Sequence, residues 1–239
     1  MQTNAAALLQ NKKEVPSEFD KIASRYDLAT YLSQGYMEDL RISAQRMKLI
    51  GNEYVLDLCC GTGKSTLACL EQVPNGKVLG IDNSKEMLEA AKQKLETPYF
   101  GKVNFELHDA MELNFPDNTF DAIFMAYGIR NMPNYDKCVK NLYRMLKPGG
   151  KLCFHEYSLA ENFYAKPYWA IMGYGFIVPF CTLLTGNFTI FNYLVKSVMT
   201  FLRPSAFVQL LQQNNFQHIE VLPLKSWRKP LLHTFIATK

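Results

Sequence analysis

Histidine is scarce in this chain, and His108, His155, His218 and His233 stand at no metal-ligand spacing, so no metal site is expected. The six cysteines (Cys59, Cys60, Cys69, Cys138, Cys153, Cys181) include no C-x-x-C pair, and a bridge between the neighbours Cys59 and Cys60 would be strained. They read as reduced core thiols of a cytoplasmic protein. No arginine precedes Arg25, and the apolar run Ala5 to Leu9 is short, with lysines after it rather than before it. Neither a signal peptide nor an organellar targeting segment is expected. Concentrated positive charge is also lacking. The net charge of +4 is scattered, with Lys12-Lys13 and Arg228-Lys229 the densest spots, which excludes a nucleic-acid stripe and leaves a mild attraction to an anionic membrane. Between Lys166 and Lys196 charge disappears altogether.

What is present describes a globular chain. Hydrophobic residues make up 48% of 239 and charged ones 20%, enough for a full core in a single α/β domain. Residues 1–16 read as a loose lead-in and 17–239 as the domain. Ser17 is placed as the N-cap of a first helix, with Phe19, Ile22, Ala23 and Tyr26 on one face. A second helix is expected over about 35–49. Strands then alternate with helices: 54–58, 77–82, 103–107, 120–127, 152–156, 218–222 and 232–237. Helices are expected at 64–72, 84–95 (with Asn83 and Glu86 as a capping box), 135–146 and 205–213. The alternation predicts a Rossmann-like, doubly wound, seven-stranded, mostly parallel sheet with an antiparallel last strand. An N-terminal helical cap and an aromatic insertion over about 159–203 complete the expected fold.

The uncharged part of that insertion, 167–195, carries Tyr168, Trp169, Tyr174, Phe176, Phe180, Phe188, Phe191 and Tyr193. Pro167 to Leu184 reaches the length of a minimal membrane span of ~18 residues, but Gly173, Gly175 and Pro179 interrupt it. Three readings stand: a span, ordinary helical core, and a lid whose inner face receives a large apolar ligand. The number of aromatics favours the lid.

The chemistry is concentrated in Val55-Leu56-Asp57-Leu58-Cys59-Cys60-Gly61-Thr62-Gly63, followed nineteen residues later by Asp82. A strand, a glycine turn, a helix and a second strand ending in a carboxylate form a dinucleotide-type unit. Leu58 excludes a phosphate-binding P-loop, which needs glycine there. Asp57 before the turn would repel a pyrophosphate, and Thr66 stands where a third glycine belongs, which argues against a nicotinamide cofactor. A nucleoside bearing positive charge fits instead, and S-adenosylmethionine is that ligand. Asp57, Asp82 and Asp109 at three strand ends match its sulfonium and ammonium. Asp82 suits the ribose hydroxyls, Asp109 the adenine amino group, and the bare backbone of Gly61, Thr62 and Gly63 admits the ligand closely.

Val55 to Gly63, Asp82, Asp109-Ala110, Phe115 to Asp121 and Leu146 to Gly150 resemble the motif series of class I S-adenosylmethionine-dependent methyltransferases. Phe19 to Asp27, Tyr127 to Asn131 and Tyr193 to Val198 resemble, more narrowly, the ubiquinone/menaquinone C-methyltransferase family, which methylates a ring carbon of a polyprenylated quinol. Departures stand at Thr30, Leu40, Ala126 and His155. The resemblance implies that Asn83, Met87, Ala110 and Tyr127 also hold the cofactor. It casts Arg130 as the group that stabilises a phenolate, Asn131 as an orienting amide, and His155 or Glu156 as proton acceptor. A membrane-dissolved quinol, contact with the inner face of a membrane, and a homodimer are the partners it allows. The alternatives are methylation of another lipid or hydrophobic metabolite, and a cofactor-binding assembly subunit without turnover.

Overall fold

The computed structural model describes residues 12–32 and 35–239. A 3-10 turn, Lys12–Glu14, leads into α1 (Val15–Asp20), α2 (Ala23–Leu32) and α3 (Tyr36–Arg46). The sheet follows: β1 (Tyr54–Leu58), α4 (Lys64–Leu70), β2 (Lys77–Asp82), α5 (Lys85–Leu95), β3 (Val103–Leu107) and β4 (Phe120–Ala126). After the turn Ile129–Asn131 come α6 (Tyr135–Met145) and β5 (Leu146–Tyr157). The insertion holds α7 (Ala165–Met172), a π-turn (Gly173–Ile177), α8 (Val178–Thr185) and α9 (Phe188–Thr200). The chain ends with α10 (Pro204–Gln213), β6 (Gln217–Pro223) and β7 (Leu232–Thr238).

The strand order is β3-β2-β1-β4-β5-β7-β6. β7 runs antiparallel to both of its neighbours, and the remaining pairs are parallel. Period-2 alternation divides the strand side chains between two cores. Leu56, Leu58, Ile123, Met125 and Phe154 enter one. Val55, Ala122, Phe124 and Cys153 enter the other, against α3 and α4. Both faces are covered, which is why β1 and β4 are apolar on both sides apart from Asp57 and Asp121. The order reverses between β1 and β4, and their carboxyl ends open a crevice there.

Several local expectations are corrected. The lead-in lies outside the described residues up to position 11, while 12–16 are already helical. Ser17 sits inside α1 and donates to the Glu14 carbonyl at 2.8 Å, because Pro16 occupies the helix's first turn. The single first helix is two, yet Phe19 and Tyr26 still meet edge to face at 6.0 Å. Ser84, not Asn83, caps α5 by accepting from the Met87 amide. β5 starts six residues early, since Leu146 is already extended and pairs with Phe120 before the register shifts.

The insertion has its own core, in which Trp169 is fully buried and donates from Nε1 to the Val195 carbonyl at 3.0 Å. Ala165–Thr185 is a continuous helical stretch of 21 residues, and its most apolar 18-residue window has mean hydropathy 1.4. Its buried residues (Ala165, Trp169, Gly173, Val178, Thr185) form one stripe facing the domain. A Cβ on Gly173 would lie 2.6 Å from Val195, so the helix packs close there.

Candidate active site

A cavity of about 610 Å³ occupies the crevice at the switch point. It is lined by Gly61, Thr62, Asp82, Asn83, Met87 and Asp109, by Tyr127, Arg130 and Asn131, and by the apolar side chains of Val15, Phe19, Ile190, Phe191 and Leu194. Nine of the residues chosen from sequence therefore share one cavity wall.

The glycine turn explains its own composition. Gly61 has φ +53°, and a Cβ there would project into open space that a ligand can fill. Gly63, at φ +86°, caps α4, and a Cβ on it would come within 2.9 Å of Leu95. Asp82 ties this turn to the next one: its oxygens accept from the Gly61 amide at 2.8 Å and the Ser84 amide at 2.9 Å. Burial holds its carboxyl above the usual range, opposed by those amides. Asp109 accepts from the Met111 amide at 2.8 Å and faces the cavity beside it.

Five expected residues lie elsewhere, Gly63 at the cap of α4 among them. Asp57 shares the strand face of Val55 and Phe124, so its carboxylate points under α4 rather than into the cavity. It is fully buried and accepts from the Ser65 and Thr66 hydroxyls at 2.7 Å each. Ala110 turns into the core, one residue past the cavity wall. His155, on the face of Cys153, is buried between Ser43 (2.7 Å from Nδ1) and the Tyr127 hydroxyl (2.8 Å from Nε2). Burial, with the charges of Arg46 and Arg228, lowers its pKa to about 3, so it stays neutral and is no proton acceptor for a ligand in the cavity. Glu156 is fully buried behind Arg130 and accepts from it and from the Tyr157 amide. Its pKa is raised by burial, against the pull of Arg130.

Arg130 is thus an ion-paired residue that also lines the cavity. Nη1 donates to Glu156 and to the Tyr127 carbonyl at 3.1 Å, and Nε to Ser197 at 3.3 Å. Nη2 has no hydrogen bond among the described residues. Asn131 accepts from the Tyr193 hydroxyl at 2.9 Å and donates to the Tyr127 carbonyl at 3.4 Å. Tyr127 holds a positive φ of 56°, locked by His155 and by stacking on Tyr36 at 5.4 Å.

Sequence reasoning missed the groups that close the cavity. Asp27 accepts from Thr62 at 2.7 Å and from Lys94, and Lys64 lies 3.5 Å away. Burial pushes its carboxyl up, but these partners outweigh that and hold it below the usual range. Asp20 accepts from Ser84 at 2.5 Å. The two aspartates of the Phe19–Asp27 motif therefore fasten the helical cap onto the glycine turn and α5. Lys12 donates to the Arg130 and Met132 carbonyls at 2.7 and 3.0 Å. No signal in the sequence marks it.

The residues present fit a cationic nucleoside. Asp57 Oδ1 is buried without a hydrogen-bond partner among the described residues, Asp82 adds a second charge nearby, and burial with that repulsion pushes Asp57 up to about 7. A positive ligand at the turn would relieve both. Fold and site together define a class I S-adenosylmethionine-dependent methyltransferase. Residues 7–226 match the model of the ubiE/COQ5 methyltransferase family, and the chain belongs to that family. It is 32% identical over 218 residues to a demethylmenaquinone methyltransferase of Lactobacillus johnsonii, covering 89% of this chain and 88% of the relative. Among solved structures it resembles a SAM-dependent methyltransferase of Thermotoga maritima (TM-score 0.66, 15% identity, 94% of this chain and 99% of that one). It also resembles a phosphoethanolamine N-methyltransferase of Haemonchus contortus solved with S-adenosylhomocysteine (TM-score 0.63, 18% identity, 84% and 52%).

Proposed function

We propose that this methyltransferase C-methylates the ring of a polyprenylated quinol drawn from a membrane, as the name of its Lactobacillus relative suggests. The observation that carries this reading is that one cavity wall brings three kinds of surface together. The residues assigned to the cofactor, the donors Arg130 and Asn131, and apolar side chains of α1 and α9 all line it. S-adenosylmethionine supplies an electrophilic methyl group when bound. The chain's part is to hold the ring oxygen as it gains charge. A phenol with pKa near ~10 costs about 4 kcal/mol to ionise at pH 7. Donors such as the free N–H groups of Arg130 Nη2 and Asn131 Nδ2 offset roughly 3 kcal/mol of that in comparable oxyanion sites. Glu156 keeps the Arg130 charge balanced while the site is empty.

The outer face of the insertion supports collection of substrate from a bilayer. Opposite the buried stripe stand Ile171 (65% exposed), Phe176 (61%) and Leu183 (84%), with Phe163 (92%) beside them. A helix buried along one side and apolar along the other suits in-plane seating at the lipid interface better than a crossing. We infer a cytosolic enzyme that touches the membrane through this face.

The test combines two assays. Quinones are profiled by mass spectrometry in cells with and without the chain, and the purified protein is supplied with S-adenosylmethionine and demethylmenaquinol in vesicles. Accumulation of a quinone lighter by one methyl, and its conversion in vitro, is expected. An unchanged quinone profile would overturn the substrate. Loss of vesicle flotation in Phe176→Asp/Leu183→Asp checks the membrane face.

A further inference from the structure

Arg130 and Asn131 stand on a three-residue 3-10 turn, which cannot fix two side chains by its own backbone. Both are held from α9. Ser197 Oγ accepts from Arg130 Nε at 3.3 Å and gives its own proton to the Leu194 carbonyl at 2.9 Å. Tyr193 Oη donates to Asn131 Oδ1 at 2.9 Å. Tyr193 and Ser197 are four residues apart, so one face of the helix presents both. Each is almost fully buried, at 1% and 3% exposure. The same helix contributes Ile190, Phe191 and Leu194 to the apolar lining of the cavity.

We propose that Tyr193 and Ser197 are positioning residues for methyl transfer, and that α9 couples occupancy of the apolar lining of the cavity to the orientation of Arg130 and Asn131. The proposal rests on the reading of these two side chains as facing the substrate ring. The hydroxyl of Tyr193 fixes which end of the Asn131 amide is the acceptor. With Oδ1 taken, Nδ2 points its hydrogens at the Tyr127 carbonyl and at the cavity. Without that hydroxyl the amide is free to flip and to set an oxygen against a developing phenolate. Ser197 pins Nε, so the guanidinium cannot pivot about its contact with Glu156, and Nη2 stays turned to the substrate. A tail seated on Ile190, Phe191 and Leu194 holds the helix from which both contacts come. Its binding energy then appears in kcat as well as in KM.

Tyr193→Phe and Ser197→Ala each remove one oxygen, and they are compared with wild type using quinols of long and short tail. Each variant is expected to lower kcat roughly 10-fold with cofactor affinity unchanged, and to abolish the higher kcat of long-tailed over short-tailed substrate. Cofactor-free protein supplies a readout independent of substrate, the exchange of the Arg130 Nε proton followed by 15N NMR. Ser197→Ala should speed it roughly 10-fold, and Tyr193→Phe should not. Raised KM with unchanged kcat in both variants would reduce α9 to a wall and overturn the proposal. Unchanged Nε exchange in Ser197→Ala would do the same. If wild type turns over neither quinol while the exchange result holds, the quinol reading fails and the grip of α9 stands. Should Ser197→Ala not fold, Tyr193→Phe alone decides the kcat arm.

Discussion

Replacing Asp57 by Asn isolates the charge beneath the glycine turn. Its carboxyl is fully buried, accepts two hydroxyl hydrogen bonds on Oδ2, and is pushed up to about 7. An unfolded chain loses that proton near ~3.9. Without cofactor, the folded state therefore binds the proton more tightly. This contribution is fully present below about pH 3.9 and is lost as pH rises through 7, amounting at most to about 4 kcal/mol. A cation bound over the turn reverses the balance. In an effective dielectric of about 20, opposite charges a few ångströms apart attract by roughly 3 kcal/mol, which would lower the carboxyl's pKa by about two units. Cofactor binding should thus expel a proton between roughly pH 5 and 7, with affinity rising toward tenfold per pH unit in that window and levelling above it. Calorimetry in buffers of different ionisation enthalpy counts the proton. The measurements stay below about pH 7, where the cofactor's own amine, with a pKa near ~7.8, remains mostly charged. Asp82 is shifted in the same direction, so the difference between wild type and Asp57→Asn reports Asp57 itself. The variant should bind more weakly and release less proton. Affinity independent of pH in wild type, with no proton released, would refute the electrostatic account of the cofactor's fit.

Other outcomes follow from the same geometry. Arg130→Gln strands Glu156 as a buried carboxylate and should cost about 3–5 kcal/mol in denaturant unfolding. Adding Glu156→Gln should restore stability but not kcat, and recovery of both would make the pair purely structural. His155, bonded on both ring nitrogens and held near 3, should show no imidazole titration by NMR from pH 4 to 8. A midpoint near 6.5 would return it to candidacy as a base. Gly63→Ala forces a Cβ toward Leu95 at positive φ, and calorimetry should show a loss of about 1–3 kcal/mol. An unchanged melting temperature would mean that the turn relaxes freely.

The sequence by itself determined the strands, the glycine turn and the carboxylates at strand ends. Those signals are local: period-2 alternation, a glycine where φ must be positive, an acid at a fixed distance along the chain. β1, β2 and β3 fall on the residues that their pattern predicts. Tertiary structure decided which carboxylate reaches the cavity. Asp57 and Asp82 look alike on paper, but the helix packed over one strand face takes Asp57 away, while Asp82 remains in the cavity. The same holds for His155 and Glu156, adjacent in the chain and sent to opposite faces of β5. One is spent on Ser43 and Tyr127 and the other on Arg130. Lys12, Asp27, Tyr193 and Ser197 reach the site across 35 to 118 residues of chain. No period records such contacts, because they exist only once the sheet order has brought the cap and the insertion over the ends of β1 and β4.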